Sequence, residues 1–288
     1  SNVDVCINLI GILYESGRAN SFENIHKKFP KKLAEICNDK KVHLIHLSAL
    51  GLEKAQDSRY AQSKISGEKE IEKFTPNATI IKPSLVYSVD DNLTTKFMSI
   101  LSLLPIFPLY YKGNTKFTPI HVSDLAELIF FVVSKEIYSK KIEAVGPEVI
   151  SFREIIIKLM NCINKKRILL PLPLPFAKFS AFFFQLLPTP LITLDQLKLL
   201  KYDNIKSENS LTNYDIGCPS KLFFEDTVMK YSFNWREGGQ FSKKIKDWLK
   251  NMIILIYILI IVILIFVISI GLKAAAIGID AKKRRNMN

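Results

Sequence analysis

None of the eleven glycines in this 288-residue chain falls in a Gly-x-Gly-x-x-Gly string, so no phosphate-cradling loop of that type is written in these residues. Metal-ligand spacing is missing as well. The four cysteines, Cys6, Cys37, Cys162 and Cys218, stand far apart with no Cys-x-x-Cys pair, which is the pattern of small buried hydrophobes. Of the histidines His26, His43, His46 and His121, only His43 and His46 are close, three apart in a strand-like run. That odd spacing sends them to opposite faces, and no metal site is expected. No secretory signal is expected in these residues, because Ser1 to Ile10 already carries a buried-strand pattern.

The net charge of +13 invites a nucleic-acid reading. However, residues 236–288 hold ten Lys/Arg against three Asp/Glu, so the tail supplies +7 of it. The rest is lysine dispersed among acids, with no basic patch interleaved with aromatics, and nucleic acid is excluded as a partner on that ground. Hydrophobic residues make up 48% of the chain, enough for a buried core in one large or two small domains.

Apolar runs alternate with helical stretches from the start. Val3 to Ile10, Val42 to Leu47 and Ala78 to Ile81 read as strands. Ser21 to Asn38 and Tyr60 to Phe74 read as helices, the first with Phe22, Ile25, Phe29, Leu33 and Ile36 on its apolar side. Strands separated by helices mean right-handed crossovers and a parallel sheet, so the fold class is α/β. Further on, Leu93 to Leu104 reads as a helix and Thr118 to Val122 as a short strand. Asp124 with Glu127 reads as the capping box of the next helix, and Ser151 as the N-cap of a helix to Ile163.

Between Ile168 and Ile192 the composition shifts to five prolines together with Phe176, Phe179, Phe182, Phe183 and Phe184. This stretch reads as a small lobe packing its own core, with a lipid or partner surface as the alternative. Met252 to Leu272 is a run of 21 residues without a charge, long enough for a transmembrane helix. Lysines and arginines on both flanks leave its orientation undecided by charge. The expected organisation is a domain at 1–145, a lobe at 146–235 and a single-pass anchor at 252–272.

The chemistry-bearing feature is Ser48 at the end of a strand, followed by Tyr60 and Lys64 on a helix. Positions i and i+4 share a helix face, so the phenol and the ammonium point toward one cleft. A free tyrosine titrates near ~10. An adjacent cation favours the phenolate and lowers that value, making the pair a candidate acid/base couple, with Ser48 placed to hold a carbonyl or hydroxyl.

Asn8-Leu9-Ile10-Gly11, Ser48-Ala49-Leu50-Gly51, Tyr60-x-x-x-Lys64, Lys82-Pro83-Ser84-Leu85-Val86-Tyr87 and His121-Val122-Ser123-Asp124 occur in that order. The string resembles the atypical or extended short-chain dehydrogenases/reductases. Gly146 to Glu154 and Leu194 to Asn204 bring it close to the dehydrogenase-like accessory subunit of respiratory complex I and its bacterial relatives.

The resemblance implies a Rossmann-like sheet that binds NAD or NADP, with NADP favoured. It makes Tyr60 the acid/base and Lys64 its activator and ribose ligand. Ser48 becomes the orienting hydroxyl, Gly11 the point of close cofactor approach, and Pro83, Ser84 and Val86 neighbours of the nicotinamide. It further implies complex I subunits and a membrane as partners, with the globular part on the cytoplasmic or matrix side and the nucleotide structural. An active reductase, dehydrogenase or epimerase working on a quinone precursor, isoprenoid or sugar nucleotide is the alternative. The family's Gly-rich loop belongs on a first strand upstream of Ser1, so the chain is expected to be a fragment lacking its N-terminal strands. Ser88 stands where the pattern commonly has Gly.

Overall fold

A computed structural model describes residues 3–91, 93–187 and 190–241. Its elements are β1 (Val5–Asn8), α1 (Phe29–Lys40), β2 (His43–Leu47), α2 (Arg59–Phe74), β3 (Thr79–Pro83), β4 (Val86–Tyr87), α3 (Thr94–Leu103), β5 (Ile106–Leu109), β6 (Lys116–Phe117), β7 (Ile120–His121), α4 (Val122–Ser134), β8 (Lys141–Ala144), β9 (Ile150–Ser151), α5 (Phe152–Cys162), β10 (Ile168–Pro171), α6 (Leu174–Phe184), α7 (Leu194–Leu199) and α8 (Phe224–Ser232). The main sheet is parallel with strand order β1-β2-β3-β8.

Strand alternation divides the core in two. Leu44 packs with Ala34, Cys37 and Ile71 of α1 and α2 on one face. Ile45 and Ile81 pack with Leu125, Leu128 and Val132 of α4 on the other. The α/β class and parallel sheet are as expected, and β8 is a fourth strand that the apolar runs did not reveal. It alternates Lys141 and Glu143 with Ile142 and Ala144, so no continuous hydrophobic run marks it. The smaller elements form a second layer in which β5 pairs with β10 and α3 packs on α5. Segments on both sides of residue 145 therefore contribute to it. The first compact unit runs to Phe233.

The helix before β2 departs instructively from its expected face. It begins with a wide π-type turn over Glu23–Lys28. The α-helical donor to the His26 carbonyl would be the N–H of residue 30, which is Pro30 and has none. The wide turn rotates the face that follows. Pro30, Ala34 and Cys37 are buried, while Phe29 and Ile36, expected inside, are exposed.

Ser151 caps α5 in a full capping box with Glu154. Asp124 does not cap α4: the N-cap is His121, whose Nδ1 accepts the Ser123 N–H. The Asp124 carboxylate instead accepts the N–H groups of Lys221 (3.1 Å) and Leu222 (3.0 Å), pinning a distant segment that local sequence does not point to. The run 252–272 lies outside the described residues. Among the described residues, no helix is long and apolar enough to cross a membrane.

Candidate functional site

Helix α2 carries Tyr60, Lys64 and Glu68 at successive i+4 positions, facing the C-terminal ends of β1 and β2. Its start is fixed twice. Ser58 is the N-cap, accepting from the Ala61 N–H (3.3 Å). Asp195, on α7, accepts the Ser58 hydroxyl (2.8 Å) and the N–H groups of Arg59 and Tyr60 (2.9 Å each). A carboxylate at a helix N-terminus both fills orphan donors and opposes the helix dipole, so α7 anchors the helix that presents the site.

Lys64 is buried, and its ammonium donates to the Leu47 carbonyl (3.2 Å). Burial lowers its pKa to about 8, partly opposed by Glu68. Gly11 lies against it: a Cβ there would stand 3.2 Å from Lys64 Nζ and 3.8 Å from His26 Nε2. A side chain at this position would crowd the ammonium, and glycine keeps the approach open.

Tyr60 is half-buried, edge-on to both Phe22 (5.9 Å) and His26 (5.4 Å). Its phenol is pushed up to about 12 by burial, the reverse of the expected lowering by Lys64. Ser48 is buried and donates its hydroxyl to Glu68, which is paired with the buried Lys82 at 2.9 Å. The structure thus gathers Gly11, Tyr60 and Lys64 around His26 and ties Ser48 into a buried ion cluster with Glu68 and Lys82.

Three further expected residues have structural attachments. The Pro83 carbonyl accepts the Leu50 N–H (2.9 Å). Ser84 donates to Asn204 Oδ1 (2.6 Å) and accepts the Thr118 N–H (3.2 Å). Val86 pairs with Ile120 in the β4–β7 ladder.

Two histidines complete the surroundings of Lys64. The Ser63 hydroxyl is committed to the Tyr60 carbonyl (2.7 Å), so His26 Nδ1 donates to that oxygen (2.8 Å) while Nε2 accepts the Ile12 N–H (3.1 Å). Asn8 Oδ1 accepts the Ile10 N–H (3.1 Å), which turns its amide nitrogen toward His46 Nδ1 (2.9 Å). His46 therefore carries its proton on Nε2, which is buried with no hydrogen-bond partner among the described residues. Both rings are neutral. Burial first, with the Lys64 charge next, lowers each pKa to about 3.

The unfolded chain protonates these rings near ~6.5, whereas the folded chain resists until about 3. Stability therefore falls as pH drops through that window. Between about pH 7 and pH 5.5 the loss is roughly 1 kcal/mol per ring. Urea midpoints at the two pH values should show it, and a His26→Gln/His46→Gln variant should lose that part of the pH dependence. An equal dependence in the variant would contradict the assignment.

Sequence reasoning missed His26, Glu68 and Asp195. Glu68 was available from the spacing that linked Tyr60 to Lys64, carried one step further. His26 and Asp195 come from distant segments, and no local signal marks their contacts.

A parallel sheet whose helix brings a Tyr-x-x-x-Lys pair to the ends of its first two strands is the arrangement that a resemblance to the extended short-chain dehydrogenases/reductases implies. The chain is similar to complex I alpha-subcomplex subunit 9 proteins. It is 29% identical over 253 residues to the mitochondrial NADH dehydrogenase (ubiquinone) 1 alpha subcomplex subunit 9 of Arabidopsis thaliana, covering 83% of this chain and 62% of that protein. It is 24% identical over 246 residues to the Dictyostelium discoideum protein of that name, covering 84% and 68%. The chain thus spans under two thirds of the Arabidopsis relative and slightly more than that of the Dictyostelium one.

Solved structures share the fold. UDP-glucuronic acid 4-epimerase from Bacillus cereus, in complex with UDP-glucuronic acid and NAD, superposes with a TM-score of 0.58 at 17% identity, covering 80% of this chain and 75% of that one. The dTDP-4-dehydrorhamnose reductase from Bacillus anthracis, in complex with NADP, gives 0.52 at 14%, covering 60% and 67%. No protein-family model matches the sequence.

Proposed function

We propose that this protein is a nicotinamide-nucleotide-binding accessory subunit of a complex I type assembly, in which the nucleotide stabilises the fold and is not turned over. The observation carrying this reading is the division of the trio. Lys64 is held beside Gly11 with, among the described residues, a single hydrogen bond, to the Leu47 carbonyl, while the Ser48 hydroxyl is committed to Glu68. An ammonium with donors to spare suits ribose hydroxyls. A serine engaged elsewhere and a phenol raised to about 12 suit binding better than proton transfer.

Gly11, Tyr60 and Lys64 then form the nicotinamide half of the site, with Pro83, Ser84 and Val86 as its framework and NADP as the nucleotide favoured by resemblance. The relatives' names supply the assembly. The run 252–272 supplies a single-pass membrane anchor, with the globular part on the matrix or cytoplasmic side. The second layer, built from segments on both sides of residue 145, serves as a docking module.

The test is purification of the intact protein in mild detergent. Complex I subunits and NAD(H) or NADP(H) should co-purify, and recovery with neither would count decisively against the reading. In the same preparation, NADPH and NADH should raise the melting temperature. Lys64→Met should weaken that binding by about tenfold or more. A Lys64→Met variant that binds as the native chain does would remove Lys64 from the site. NADPH oxidation with a quinone or sugar-nucleotide acceptor, abolished by Tyr60→Phe, would instead favour an active reductase.

A further inference from the structure

Helix α6 has too little protein around it. Its packing side consists of Ala177 and Ala181, buried against Tyr110 and Leu197. Most of the rest of its circumference is apolar and open to solvent: Phe176 and Phe179 are each 65% exposed, Phe182 49% and Phe183 50%, and Leu186 beyond its end is 68% exposed. The stretch does pack a small core, through Leu172, Ala177, Ala181 and Ile192, but four of its five phenylalanines stay out of it, because the alanines bring the helix in close and leave those rings outside. A helix with so large an apolar face is ordinarily covered there, and a contiguous aromatic patch of this kind marks a contact surface.

Charge identifies what covers it. From residue 161 to 201 the chain has six basic residues and one acid, Asp195. That acid is turned away, bound to the start of α2. The neighbouring elements β5, β10 and α7, together with the turn Tyr110–Gly113, add no other carboxylate. Lys178 on the helix itself and Lys166, two residues before β10, are exposed, while Lys198 on α7 donates to the carbonyl of the exposed Asp57 (2.9 Å). An apolar aromatic helix whose own exposed charge is a cation, Lys178, is complementary to an anionic phospholipid surface, where rings enter the acyl boundary and lysines meet headgroups. At 11 residues the helix is about 16 Å long, far short of a ~30 Å hydrocarbon layer, so it can only lie along the interface.

We infer that α6 is a membrane-docking helix that seats the lobe flat on an anionic phospholipid bilayer. This goes beyond the subunit reading and requires neither nucleotide nor the apolar run at 252–272.

The test uses the full chain reconstituted in vesicles of phosphatidylcholine with about one third phosphatidylserine. A polarity-sensitive fluorophore is attached at Phe179→Cys and, separately, at Phe130→Cys, an exposed site on α4. Signal from the unsubstituted protein corrects for labelling of the native cysteines. The probe at 179 should shift to the blue and brighten several-fold, more so than in pure phosphatidylcholine, and should be quenched by lipids brominated near the headgroup. The probe at 130 should remain aqueous. Lys178→Glu with Lys166→Glu should reduce the response at 179. Flotation of the same samples reports the anchor separately: protein that floats while the probe at 179 stays aqueous overturns the docking helix and leaves the anchor standing. Equal shifts at 179 and 130 would also overturn it, as non-specific adsorption.

Discussion

Gly67→Ala is expected to cost about 3 kcal/mol of stability, the upper range for forced overpacking of a close contact, and to disturb the nicotinamide site with it. A Cβ on Gly67 would stand 1.9 Å from the backbone oxygen of His26. No rotamer change relieves a clash with main chain. That carbonyl faces α2 because Pro30 provides no N–H to hold it within the helix, so the wide turn, the proline and the glycine form one device for bringing α2 against the preceding helix.

Opening this contact would move the imidazole of His26, which packs on Tyr60 and borders Lys64 and Gly11. Urea unfolding gives the stability change, and nucleotide-dependent melting gives the effect on the site. Gly217→Ala provides the scale. A Cβ there would meet nothing within 4 Å, but the φ of +86° makes an L side chain cost about 1–2 kcal/mol. If Gly67→Ala proved no worse than Gly217→Ala, the close-crossing account would be wrong.

The parts of this fold legible in the sequence were those whose cause is local. Alternating apolar runs gave three of the four strands in the main sheet, and the i, i+4 relation correctly put Tyr60 and Lys64 on one helix face. Ser151 with Glu154 announced a capping box that formed. The illegible parts depend on partners far along the chain. Asp124 has the sequence signature of a cap, yet two N–H groups nearly a hundred residues away use its carboxylate. Ser48 has the spacing of an orienting hydroxyl, yet Glu68 competes for it, and that competition depends on Lys82 arriving from β3. Tyr60 illustrates a conflict of magnitudes. A neighbouring cation favours the phenolate and burial disfavours it, and at Tyr60 the shift is upward, with burial its cause.

The second large effect is expected at that buried ion cluster. Lys82 is 5% exposed. Burial alone would lower its pKa, but Glu68, followed by Glu53, outweighs burial and keeps the ammonium charged. Of the two carboxylates, Glu68 is the buried one, with 4% side-chain exposure against 56% for Glu53. Glu68→Ala would leave a buried cation with one solvent-screened partner and would also deprive the Ser48 hydroxyl of its acceptor. Removing one member of a buried pair typically costs about 3–5 kcal/mol, mostly from the charge left behind, and the remaining contact with Glu53 places the expected loss near 3 kcal/mol.

Removing the cation as well should reverse most of that loss, since an apolar pair of similar volume needs no charge compensation. Glu68→Ala/Lys82→Met should therefore be more stable than Glu68→Ala alone. Strict additivity of the two single changes in urea unfolding would mean that the ions are not coupled as the geometry requires. The cluster also reaches the site through Lys64. Glu68 opposes the lowering of the Lys64 pKa by burial, so its removal should carry that pKa below about 8 and leave less of the ammonium charged at neutral pH. Nucleotide affinity in Glu68→Ala should then fall more steeply with rising pH than in the native chain, and Lys82→Met alone should not reproduce this change because it leaves the Glu68 carboxylate beside Lys64.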